Sequence, residues 1–183
     1  MTPSVEGAER VKVGVLLAGA ASATGALAGF TAGTAWAIAH LPRLPAVALA
    51  ALVAVAAGAD IVHRRGWGPP PPSVRRQVPR EWSRLFSPRT VAALYGARLG
   101  VGPLTILVTW LWWAAIVGAA SLGPWPATLA GAGFGLARTG VGLAVAPRRT
   151  AEAAPRAASL RRREPLAFAL LTGAIVLGCA VLA

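Results

Sequence analysis

"VGVLLAGAASATGALAGFTAGTAWAIA", from Val13 to Ala39, runs 27 residues without a charged side chain. A helix needs about 20 mainly apolar residues to cross a bilayer core, so this stretch can cross with length to spare, tilted or begun in the interface. Within it Ala18, Ser22, Gly25, Gly29 and Gly33 recur every three or four residues and so share one helix face. Lipid gives little hydrophobic drive between helices, so small residues that let two backbones approach are what hold membrane helices together. The doubled GxxxG on this face suits either another span of the same chain or a homo-oligomer or larger membrane complex formed through Gly25, Gly29 and Gly33. "RVK" before the run and "AIA" at its end resemble a secretory signal, but the run is too long for a signal core and reads as a retained helix.

Four more segments of similar character follow: 44–62, 91–122, 125–146 and 165–183. Of 183 residues, 56% are hydrophobic and 13% charged, and the mean hydropathy is +0.61, outside the soluble range. The expected fold is all-α: one polytopic integral membrane domain over residues 1–183, a helical bundle of about five transmembrane helices. Pro103, inside the long third segment, predicts a kink there.

Eighteen Lys and Arg against six Asp and Glu give a net charge of +12. These cations lie between apolar spans rather than on one soluble face, which argues against nucleic acid as a partner. They concentrate before the first span (Arg10, Lys12) and in the long loops 64–90 and 147–164, with Arg43 alone in a short one. The positive-inside rule then puts the N-terminus and both long loops in the cytoplasm, the short turns and C-terminus outside, and the chain in the cell membrane. Trp36, Trp110, Trp112, Trp113 and Trp125 read as anchors toward the outer ends, and Trp67 and Trp82 as inner ones. The four prolines from Pro69 to Pro72 must be extended or polyproline II. Beyond them, Arg80 to Phe86 reads either as a short interfacial helix with Trp82, Leu85 and Phe86 toward lipid, or as a solvated topology anchor. Cys179 is the only cysteine, so the chain holds no intrachain disulfide, CxxC pair or thiolate metal cluster. No metal ligands are identified, and nothing indicates a cofactor.

Two copies of Ala-Arg-x-Gly-Val-Gly interrupt the apolar runs, "ARLGVG" from Ala97 and "ARTGVG" from Ala137. A central arginine costs about 2.5–3.5 kcal/mol on insertion scales and therefore needs a reason. Arg138 shares a face with Gly131, Gly135 and Gly142, and Arg98 one with Gly102, Thr105 and Thr109. Spans three and four run in opposite directions, so the two arginines fall at similar depth. Asp60, near the inner end of span two, is the expected anionic partner of either. The candidate site is Arg98, Arg138, Asp60, Thr105 and Thr109 around a cytoplasm-facing cavity that would draw an anion, carboxylate or lipid headgroup. The alternative is a structural ion pair plus an arginine that snorkels to the interface.

"LYGARLGVGPLTI", preceded by "RQVPREW" and followed by "GAGFGLARTGVGL", resembles the membrane core of the cytochrome c biogenesis thiol-disulfide carriers, the CcdA/DsbD-like family, over residues 76–145. That family passes electrons through a pair of membrane cysteines. This chain lacks them, with Ile106 about where the second-half cysteine would be, so the resemblance implies the scaffold and not the redox activity.

Three functions compete on this reading. The first is a small transporter or carrier with the arginine-lined cavity. The second is a non-catalytic subunit or assembly factor of a larger membrane complex, docking through small-residue faces and basic loops. An enzyme acting on a lipid or prenyl substrate ranks third, because Asp60, His63 and the distant Glu81 are few groups for acid-base work and no acidic metal motif accompanies the arginines.

Overall fold

The structure is a computed structural model that describes residues 3–74, 81–104 and 109–145. The expected fifth span (165–183), the loop 147–164 and Thr105 lie outside the described residues. Those described are helical or irregular with no strand: α1 (Pro3–Ile38), α2 (Ala46–Arg64), the single turn α3 (Trp82–Leu85), α4 (Pro88–Gly100), α5 (Leu111–Leu122) and α6 (Pro124–Val145). Two stretches, Gly7–Ile38 and Ala46–Arg64, are long and apolar enough to cross a membrane.

α1 is the spine, and its small residues are used inside the chain. A methyl group on Gly25 would run into the carbonyl oxygen of Gly131, and one on Gly131 into that of Gly25. Gly29 meets Ala127 and Gly33 meets Pro124 in the same way, so α6 lies antiparallel on the doubled GxxxG face at backbone contact. Of the two neighbours that this face suits, it meets a helix of the same chain, α6. α4 packs beside it and runs parallel to α1, since Gly96 abuts the carbonyl of Leu17 and Gly100 that of Ala21. The Thr24 hydroxyl joins the pair, reaching the carbonyl of Ala20 at 2.8 Å in its own helix and that of Ala97 at 2.9 Å across the interface. At the foot of the pair, Arg89 makes a two-pronged ion pair with Glu9 at 2.7 and 2.8 Å.

The third apolar segment is two helices rather than one kinked rod. α4 starts on a local signal: Ser87 Oγ accepts from Thr90 N at 3.3 Å and Pro88 takes the first helical position. It stops at "VGP". Gly102 holds φ +71° just beyond the cap residue Val101, the left-handed position that ends many helices, and Pro103 cannot continue one. A side chain at Gly102 would also strike the Trp112 indole. Gly102 and Pro103 together thus make a terminator where Pro103 alone suggested a bend.

α5 resumes in the same direction, because only Gly123 separates it from α6, whose first residue packs on Gly33 near the far end of α1. It fills the space between α1, α2 and α6. α2 touches α5 along one stripe, Leu49, Val53, Ala56 and Asp60, spaced four, three and four. Among the described helices α5 and α6 pack on each other, while α1 and α2 make no extensive contact.

Candidate functional site

The break between α4 and α5 sits about halfway along α1. Gly100, the last residue of α4, packs on Ala21, and so does Gly135 of α6. Arg98 precedes Gly100 by half a turn and Arg138 follows Gly135 by almost one. In helices of opposite direction, both displacements point toward the N-terminal end of α1, so the two arginines share one level along the spine.

Asp60 is placed differently from expectation. It is fully buried, and its carboxylate faces the start of α5 instead of an arginine. Oδ1 accepts from Trp110 N at 2.7 Å, and Oδ2 accepts from the Thr109 hydroxyl. Thr109 Oγ1 in turn accepts from Leu111 N at 3.1 Å. The first backbone N–H groups of a helix have no partner within it and carry partial positive charge, so an anion there is stabilised by both hydrogen bonds and the dipole. The opposite arrangement closes α4: Arg98, in its last turn, donates from Nη2 to the carbonyl of Leu104 at 3.3 Å. Each end of the break thus carries a side chain of the sign that its helix terminus favours. In place of the expected pairing with Arg98 or Arg138, the Asp60 carboxylate makes a helix-end match, stabilised by charge-assisted hydrogen bonds and by the helix dipole.

Arg138 lies over the Phe134 ring, its Cζ 5.6 Å from the ring centroid, within cation–π range. The neighbouring Thr139 is buried and turns its hydroxyl back to the carbonyl of Gly135 at 2.9 Å, so that hydroxyl is satisfied within its own helix.

The proline run closes the break from the side. Trp110 Nε1 donates to Pro69 O at 3.4 Å and Trp113 Nε1 to Pro72 O at 3.2 Å. Polyproline II repeats every three residues, and residues three apart on a helix share a face, so the two indoles read equivalent carbonyls of one strap. Pro71 between them is fully buried, and Val74 N donates to Pro103 O at 2.6 Å, fastening the strap to the break itself. His63 Nδ1 lies 3.2 Å from Gly68 O at the start of the strap. Of the tryptophans expected as outer anchors, Trp112 is internal: it is 9% exposed, packs edge-on to Trp113 and Phe134, and covers Gly102, whereas Trp125 is 74% exposed.

Comparison with known proteins finds no matching family model, no similar curated protein and no similar solved structure. The site has to be read from its own geometry.

Of the sequence-derived residues, Asp60 and Thr109 come together, Arg98 and Arg138 share a level, and Thr105 lies outside the described residues. The space of about 320 Å³ between α5 and α6 is walled by Leu111, Trp112, Ile116 and Phe134, and among the four described site residues Thr109 borders it. Among the described residues no three His, Cys, Asp or Glu side chains gather as metal ligands would. Sequence reasoning missed the strap and its two indoles. The signal was present as four prolines and a Trp-x-x-Trp pair, but nothing local connected them.

Proposed function

We propose that the chain is a small carrier integral to the cell membrane, with its N-terminus cytoplasmic and its transported species handled at the break between α4 and α5. One observation carries this: a discontinuous helix halfway along the spine, with Arg98 and Asp60 at its two ends and Arg138 level with them. Broken helices set polar backbone where a membrane helix would hide it, and they are tolerated where that backbone meets other protein or a substrate. The two arginines favour a small anion or carboxylate. The orientation is supported by the fold, since the starts of α1 and α4 and the far end of α6 share one end of the bundle with most of the described basic residues. The short motifs shared with the thiol-disulfide carriers support the scaffold alone. The test is uptake of small carboxylates and inorganic anions into vesicles holding the purified protein, with Arg98→Ala and Arg138→Ala beside the wild type. Loss of uptake in both supports the proposal; uptake unchanged in both removes the site.

A second reading, a non-catalytic subunit of a membrane complex, is favoured by α2. Among the described helices its extensive packing is on α5, and it leaves Val47 and Val55 at 81% and 70% exposure, a face for a neighbouring subunit to cover. Purification from native membranes decides between them: a stoichiometric partner lost on Val55→Arg supports this reading, and an active chain without partner opposes it.

A further inference from the structure

A second feature lies away from the break, at the foot of α1 and α4. There an apolar groove of about 430 Å³ is walled by Val13, Leu17, Phe86, Val91, Ala92 and Tyr95. Charged residues adjoin these walls in the chain. Lys12 adjoins Val13 and lies close to Glu9, Arg84 belongs to the single turn α3 beside Phe86, and Arg89 follows Pro88, another groove residue. Two acids share this rim. Glu9 is engaged by Arg89 through both oxygens, and Glu81 stands at the start of α3. α3 and the residue after it present Leu85 and Phe86 outward at 73% and 44% exposure, with Trp82 edge-on to Phe86, the composition of a turn lying in the headgroup boundary.

We propose that this groove is a phospholipid site: it takes one acyl chain of an anionic phospholipid, whose headgroup rests on Lys12 and Arg84. The proposal rests on the membrane embedding argued above and is independent of transport. Depth supports it. Lys12 precedes the uncharged run of α1 and the groove begins with Val13, so a chain entering from the headgroup layer meets cations first and apolar walls next. Charge selects the lipid class: basic side chains near the membrane surface favour anionic over zwitterionic headgroups by about 1 kcal/mol each, close to fivefold. Tyr95 lines the groove one helical turn beyond Val91.

The experiment uses the full chain in phosphatidylcholine vesicles doped with phosphatidylglycerol or phosphatidylcholine bearing a photoactivatable group on the acyl chain. After irradiation, adducts are mapped by mass spectrometry. The expected result is adducts concentrated on Val13, Leu17 and Val91, several-fold more with the phosphatidylglycerol probe. That excess should disappear in Lys12→Gln/Arg84→Gln, and the adducts themselves in Val13→Trp or Val91→Trp, which fill the groove from either wall. Equal labelling by both probes, or groove labelling that survives both fillers, overturns the proposal. So does labelling of the outer faces of α1 and α2 with the groove residues spared, while labelling nowhere on the chain overturns the membrane embedding instead.

Discussion

α1 with α6 and α2 with α5 are both antiparallel helix pairs, yet they are held in opposite ways. In the first, glycines face glycines, and backbone atoms of Gly25 and Gly131 meet with no side chain between them. In the second, the stripe of Leu49, Val53 and Ala56 meets Leu111 and Ala114 through ordinary apolar contact, and the pair is tied at one end by Asp60 and the strap. Dispersion falls off steeply with distance, so the first interface depends on shape and tolerates no added atom. The second depends on a few polar bonds that can be removed singly. A bundle built this way has a rigid half and a latched half.

Four substitutions test that division, in falling order of effect. Gly25→Leu should be the most damaging, because neither Gly131 nor its carbonyl can move aside. Overpacking costs typically about 1–3 kcal/mol, and backbone-to-backbone contact puts this case at or above the top of that range. Loss of monodisperse protein in detergent is the expected outcome, and Gly19→Leu, where nothing lies within 4 Å, is the control that should fold. Asp60→Ala comes next. It strands the Trp110 N–H and the Thr109 hydroxyl, a penalty of about 1–3 kcal/mol. Thermal unfolding should fall while Asp60→Asn, which keeps an acceptor, recovers part of the loss. Equal losses would mean that charge at the helix end matters more than the hydrogen bonds.

Trp113→Phe keeps the ring and removes the bond to Pro72, so a loss of about 0.5–1.5 kcal/mol is expected. Hydrogen exchange should show it: protection of Val74 N–H drops while that within α1 is unchanged. A matching loss in α1 would mean the two halves unfold as one. Smallest of all is Arg89→Gln. Its ion pair with Glu9 is exposed, where solvent and salt screen such contacts, so the melting temperature should hardly move and should be still less sensitive at high salt. A large drop would mean that the foot of the rigid half is polar-latched as well.

Much of the rigid half was legible in the sequence. Glycines at fixed helical spacing in an uncharged run specify a face for close approach, and what they cannot specify is the neighbour, because α6 and a second protomer offer the same backbone. The shared level of Arg98 and Arg138 was legible too, as it needs only direction and rise. The latched half was not. Reading Pro103 as a kink passes over Gly102, whose place just past a helix end is set by the turn and not by composition. Placing Asp60 with an arginine follows from charge alone, whereas its partners are the Trp110 amide and the Thr109 hydroxyl, about 50 residues distant in the chain. The strap joins segments 41 residues apart through prolines, which present carbonyls but no N–H, a pairing that no helical or strand period announces.

The carbonyl of Ala21 abuts α4 and α6 at once, through Gly100 and Gly135. A helix clamped on both sides at one carbonyl cannot slide along either neighbour without lifting from the other. α1, α4 and α6 are thus clamped as one unit, and α5 is set off from α4 and α6 by two glycines with positive φ, Gly102 and Gly123.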